Sequence, residues 1–311
     1  MATQTKLQPR TTSSGSVAAK VFSLANVSSK GTGAPGRWGL HSAPGFGKTS
    51  LLAYARKPIF IMTRGETGLD ALIGSGQLPD TPHFPEVQTW GELINAIETL
   101  LNVEHEYKTL VIDTGNGCER LCHEYICNRD FSDDWGERGF TGYMRGYEVA
   151  LGEWRLFLNL LDELRIKKGM TVFLLFHTKI KTFKNPSGAD YDRYAPEMHE
   201  KTWALTKGWL DAILFGNFEV TVTAQGRDVT NNSSKKGKAG DLSHRIIYTS
   251  SENPTFDAKN RLGLPPEIEM GDSAKQGWAN LAQAIVDSRK AGFASTTTTP
   301  AVAEVESGNH E

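Results

Sequence analysis

Short apolar runs alternate along this chain with longer stretches in which apolar positions recur at helical spacing, the pattern of strands interleaved with helices. Strands are predicted at residues 37–41, 58–62, 110–113 and 171–176. A further strand starts near Asp211 and runs into residues 218–224, and another lies at 245–250. Helices are predicted to begin over 50–56 and to cover 90–103, the surroundings of 118–127, 147–167 and 274–290. Such alternation predicts an α/β fold, a mostly parallel sheet with helices on both faces and a small β extension toward the C-terminus. Crossovers of this kind are right-handed, so a ligand belongs at the carboxyl ends of the strands. Two polar segments interrupt the pattern: 128–142, rich in Gly and Asp, and 225–240, which carries Asn231, Asn232, Lys235, Lys236 and Lys238 and reads as a hairpin tip or loop.

The two ends lack periodicity and are rich in Ser, Thr, Gly and charge. Residues 1–20 and 293–311 are therefore expected to be disordered tails around a single domain at 21–292. The chain has 311 residues, 39% hydrophobic and 23% charged, ordinary values for a globular protein with ample core. Its 34 basic and 36 acidic residues leave a formal net charge of −2, so any polyanion-binding surface must be local. No apolar run approaches a membrane span and the first twenty residues lack a signal-peptide core, which predicts a cytoplasmic protein without membrane contact. Cys118, Cys122 and Cys127 are the only cysteines. With His123 they have the look of a metal site, but no second ligand pair lies at zinc spacing and they fall within an amphipathic helix, so buried reduced thiols are expected.

The chemistry concentrates at Ser42, Ala43, Pro44, Gly45, Phe46, Gly47, Lys48 and Thr49, with Ser50 opening the helix behind them. Between a strand and a helix, this segment reads as a phosphate-binding loop. Its glycines let the backbone curl, and successive N–H groups and the helix N-terminus face one concavity. Lys48 would reach the β- and γ-phosphates of ATP and the Thr49 hydroxyl would ligate Mg²⁺. Ser42 replaces the first glycine of the usual pattern, and a Gly/Pro-rich surface turn is the bland alternative.

Three strand ends complete the constellation. Asp113 closes an apolar strand about 60 residues after the loop, where a carboxylate holds Mg²⁺ directly or through water. Glu66 follows the second strand and is placed to orient a water for attack on the γ-phosphate, with Glu119 as the rival. His177 ends the strand at 171–176, and if that strand lies between those of the loop and of Asp113, it faces the γ-phosphate. Residues 179–207 interleave Lys179, Lys181, Lys184, Arg193, Lys201 and Lys207 with Phe183, Tyr191, Tyr194 and Trp203. That mixture suits single-stranded nucleic acid, although four carboxylates dilute it and a lid or solvated loop stays open.

In this order the parts resemble the RecA-core ATPases, and among them short phage-encoded proteins linked to single-strand annealing and recombination. The matching pieces are residues 43–49, 60–70 with Glu66-Thr67-Gly68-Leu69-Asp70, 109–114, 174–179 and the run Ala258-Lys259-Asn260-Arg261-Leu262-Gly263-Leu264-Pro265. Together they reach across roughly residues 20 to 290. The resemblance implies a three-layer P-loop NTPase with a RecA-like core and Glu66 as catalytic base. It implies Lys259 and Arg261 as cations that reach the γ-phosphate of a neighbouring subunit, so that the site is complete only in a homo-oligomeric ring or filament. His177 stands where many relatives carry a glutamine sensor. The family's two DNA-binding loops would fall near 129–145 and 181–200. The first carries Arg129, Arg138, Arg145, Phe140 and Tyr143, but also Asp130, Asp133, Asp134 and Glu137, a poor match to a phosphate-tracking surface.

The resulting expectation is a Mg²⁺-dependent ATPase that binds single-stranded DNA as an oligomer and promotes annealing or recombination, in company with a single-stranded-DNA-binding protein and in a bacterial host's cytoplasm. Two other readings stay open: a replication accessory ATPase or helicase loader acting on a protein partner, and a nucleotide-gated binding module that barely hydrolyses.

Overall fold

A computed structural model describes residues 33–219, 244–250 and 253–296, the pairs 222–223 and 238–239, and residues 24 and 27. The chain divides into Met1–Gly33 and a compact unit, Ala34–Glu311, and the account below concerns the second. The expected tail at 1–20, all but residues 293–296 of the one at 293–311, and most of the polar segment 225–240 lie outside the described residues.

The elements run β1 (Arg37–Ser42), α1 (Lys48–Ala53), β2 (Pro58–Met62), α2 (Gly68–Gly74), α3 (Trp90–Asn102), β3 (Thr109–Asp113), α4 (Gly115–Phe131), α5 (Arg145–Lys168), β4 (Thr171–Phe183), β5 (Tyr191–Pro196) and α6 (Glu200–Trp209). There follow β6 (Ala212–Phe218), the short pair β7 (Val222–Thr223) and β8 (Lys238–Ala239), β9 (Arg245–Tyr248), β10 (Lys259–Asn260), β11 (Glu267–Glu269) and α7 (Ala274–Thr296). The main sheet has the order β11-β9-β6-β1-β4-β3-β2. The five strands β6, β1, β4, β3 and β2 are parallel, while β9, β10 and β11 add antiparallel partners on the β6 side.

Period-two alternation in the central strands builds two cores. Ile59, Ile61, Leu110, Ile112, Val172, Leu174 and Phe176 face a layer containing Trp90, Leu93, Ile97, Ile126 and Trp154 from α3, α4 and α5. The intervening Phe60, Met62, Val111, Phe173 and Leu175 face Leu51 and Leu52 of α1 and Leu281 of α7. Strands apolar on both faces are what a helix-covered parallel sheet demands. The fold is thus the expected three-layer α/β arrangement.

Several boundaries differ from those expected: the strand expected to run from Asp211 into 218–224 ends at Phe218 and the helix expected over 50–56 is Lys48–Ala53, and three others also shift. The strand expected to end at 176 continues to Phe183, because residues 178–183 pair antiparallel with β5 and project as a hairpin. Helix α4 continues to Phe131, so the polar segment starts inside it. Helix α7 reaches Thr296, into the stretch expected to be tail. Polar side chains on a solvated helix face carry no loop signal, which is why composition misplaced these ends.

Candidate nucleotide site

The loop after β1 is shaped by its glycines. Gly45 and Gly47 take φ of 83° and 96°, a left-handed conformation that costs other residues strain. Phe46 between them is fully buried and wedges beside Gly216 of β6, where a Cβ would lie 2.4 Å from the ring. Lys48, the first residue of α1, is buried and folds back so that Nζ donates to Ser42 O and Oγ, each at 3.2 Å. Burial lowers its pKa, while the charges of Asp113 and Glu66 pull the other way.

Strand order brings the predicted side chains to this loop. β4 lies between β1 and β3, and His177 is level with Ser42. Thr49 Oγ1 donates to Asp113 Oδ2 at 2.6 Å. Asp113 is buried, and burial raises its pKa. A buried carboxylate bonded to a hydroxyl is a pair of hard oxygen donors, which suits Mg²⁺. His177 Nε2 lies 2.8 Å from Glu66 Oε1. This contact lowers the Glu66 pKa and raises that of His177. With Arg64, Thr114, Asn116, Arg120 and Glu197 the two line a cavity of about 400 Å³.

Supporting residues carry no motif of their own. Thr63 N donates to Asp113 O at 2.8 Å, and the Thr63 hydroxyl accepts from Thr114 N at 3.1 Å. Asn116 Oδ1 accepts from His177 N at 2.9 Å. His41 of β1 is buried and held neutral, its pKa lowered to about 4 chiefly by burial. Its Nε2–H donates to Asp257 O at 2.6 Å, so Nδ1 accepts from Thr178 Oγ1 at 3.0 Å.

Glu119, the rival for the role of base, is committed elsewhere. It is buried and both of its oxygens accept from His199 N at 3.0–3.1 Å, capping the start of α6. Lys259 and Arg261 lie at the other edge of the sheet, where β10 pairs with the first residues of β6. Lys259 Nζ donates to the carbonyls of Lys207 and Leu210 that end α6. With Arg261, Lys207, Arg193 and Tyr191 it lines a second cavity of about 830 Å³. Within one chain these cations do not join the Glu66–His177 site.

The expected DNA-contacting cations are largely partnered. Lys181 pairs with Glu200, Lys184 with Asp190, Lys201 with Glu148, and both Arg193 and Lys207 with Asp257. Lys179 Nζ donates to Met198 O at 3.0 Å. In the first loop Arg129 pairs with Asp130 and Glu153, and Phe140 is buried, whereas Tyr143 is 98% exposed. The three cysteines are free and buried. His123 packs against Phe140 and Tyr147, and the described residues hold no metal-ligand cluster. None of the described helices is long and apolar enough to cross a membrane.

Residues 36–262 match the model of a protein family described as an AAA domain. No curated protein matches the chain in sequence. Among solved structures, the RadB recombinase is similar, with 14% identity and a TM-score of 0.38 over 69% of this chain and 80% of the other.

Proposed function

Because the chain belongs to the AAA domain family, we propose that it is a Mg²⁺-dependent ATPase of RecA type, encoded by a phage and working on single-stranded DNA in annealing or recombination. The observation that carries the ATPase reading is the meeting of Lys48, Thr49, Asp113, Glu66 and His177 at one strand edge. Loop N–H groups and Lys48 bind the phosphates, with Lys48 leaving its contacts on Ser42 to reach them. Thr49 and Asp113 would hold Mg²⁺, which when bound neutralises charge on the phosphates. Glu66, once freed from His177, accepts a proton from the attacking water, and His177 is left to hydrogen-bond the γ-phosphate. Lys259 and Arg261 serve the site of a neighbouring copy in a ring or filament in the host cytoplasm.

A second reading, an ATPase acting on a protein partner, draws support from the paired cations of residues 179–207, which leave little free positive charge for DNA. ATP turnover with and without single-stranded DNA separates the two, with Lys48→Ala as blank. Stimulation by DNA supports the recombination reading, and indifference to DNA favours the protein partner. Glu66→Gln should lower turnover on the order of a hundredfold or more while nucleotide still binds.

A further inference from the structure

The groups proposed for the γ-phosphate end all lie to one side of the loop strand. Glu66 follows β2, Asp113 ends β3, and His177 stands in β4 where its ladder with β1 stops; β4, β3 and β2 follow one another away from β1 in the sheet. A triphosphate whose terminal phosphate faces those groups leaves the loop toward the opposite neighbours, β6 and β9. On that side stands Arg245, the first residue of β9. Register places it at loop height: Ser42 is level with Gly216, and Arg245 is level with Phe218, two residues further on.

Its guanidinium touches the loop itself. Nη1 donates to Phe46 O at 3.2 Å and lies 3.3 Å from where a Cβ on Gly47 would sit. The backbone beneath is pinned, since Met270 N donates to Arg245 O at 2.9 Å and β9 pairs with β6. The side chain is half-buried, and among the described residues no carboxylate pairs with it. A planar cation with most of its donors unspent, fixed at the rim of a phosphate loop, is suited to lie on the face of a base.

Resting on the ATPase reading above, we infer that Arg245 is the nucleoside contact of this site, its guanidinium packed against the base of the bound nucleoside triphosphate. Such a contact reads a π-face rather than a pattern of donors and acceptors, so it serves ATP and GTP alike.

The test compares binding of Mg·ATP and of Mg·tripolyphosphate by calorimetry, in the full-length chain and in Arg245→Ala. Loss of a positive charge weakens both ligands together and cancels in the ratio of their dissociation constants. Loss of a nucleoside contact does not cancel, and the ratio is expected to shift against ATP about three- to thirtyfold. Arg245→Lys keeps a donor for Phe46 O and should shift the ratio less, in the same direction; it also guards against a loss of fold in the alanine variant. An unchanged ratio in both variants overturns this inference and leaves the ATPase reading standing. Failure of the unaltered chain to bind either ligand overturns both.

Discussion

The contact between His177 and Glu66 governs the site as a matter of charge. Each raises the cost of neutralising the other, so the histidine pKa is raised and the glutamate pKa lowered. The pair's stabilisation is therefore complete below the unfolded histidine value of about 6.5 and fades as pH rises through the raised folded value. At the acid end it persists until pH falls through the lowered Glu66 value. In a histidine-resolved NMR titration, Glu66→Gln should move the His177 midpoint downward; an unmoved midpoint would refute the pair. Gly117 acts at the same scale by having no side chain, since a Cβ there would lie 1.9 Å from Thr63 Oγ1. Gly117→Ala must displace Thr63, which bonds the backbone of Asp113 and Thr114. It should cost about 1–3 kcal/mol in denaturant unfolding and weaken Mg·ATP binding, whereas a stable variant with unaltered affinity would contradict the packing.

Elements decide which of the two candidate glutamates opens to the cavity beside the loop. Glu66 follows the end of β2 and opens to the cavity, while Glu119 lies inside α4 and caps α6. Glu119→Gln should lower the unfolding midpoint while keeping turnover within about threefold once folded, the reverse of Glu66→Gln, because a cap is worth about 1 kcal/mol and is remote from the chemistry. Sequence alone left this choice open, since both carboxylates stand at plausible distances from the loop. Lys48, Thr49 and Asp113 are legible because each belongs to a local strand-and-turn pattern. Thr63, Asn116 and Arg245 are not, because each gains its role from a partner 51 to 199 residues away in the chain. The hairpin of β4 and β5 reads as a loop in sequence for a related reason: its alternating charges resemble solvated coil until residues 178–183 pair with residues 191–196.

At the scale of the whole molecule, Lys259 and Arg261 lie apart from the Glu66–His177 site, so the role proposed for them requires a neighbouring copy. If a neighbour supplies the missing cations, two defective chains should repair each other. Lys259 is a poor probe, because its ammonium also holds the carbonyls that end α6 and its removal would loosen that helix. Arg261 is exposed, so Arg261→Ala should leave the chain folded. Alone it would be nearly inactive, and so would Lys48→Ala, whose own site is empty of its phosphate-binding cation. Mixed in equal amounts, the first contributes intact sites and the second intact fingers. In a randomly mixed assembly about a quarter of the interfaces then join an intact site to an intact arginine, and turnover should recover to about that fraction of the unaltered protein. Activity that stays at the level of the separate variants would mean that Arg261 does not serve the site of a neighbouring chain.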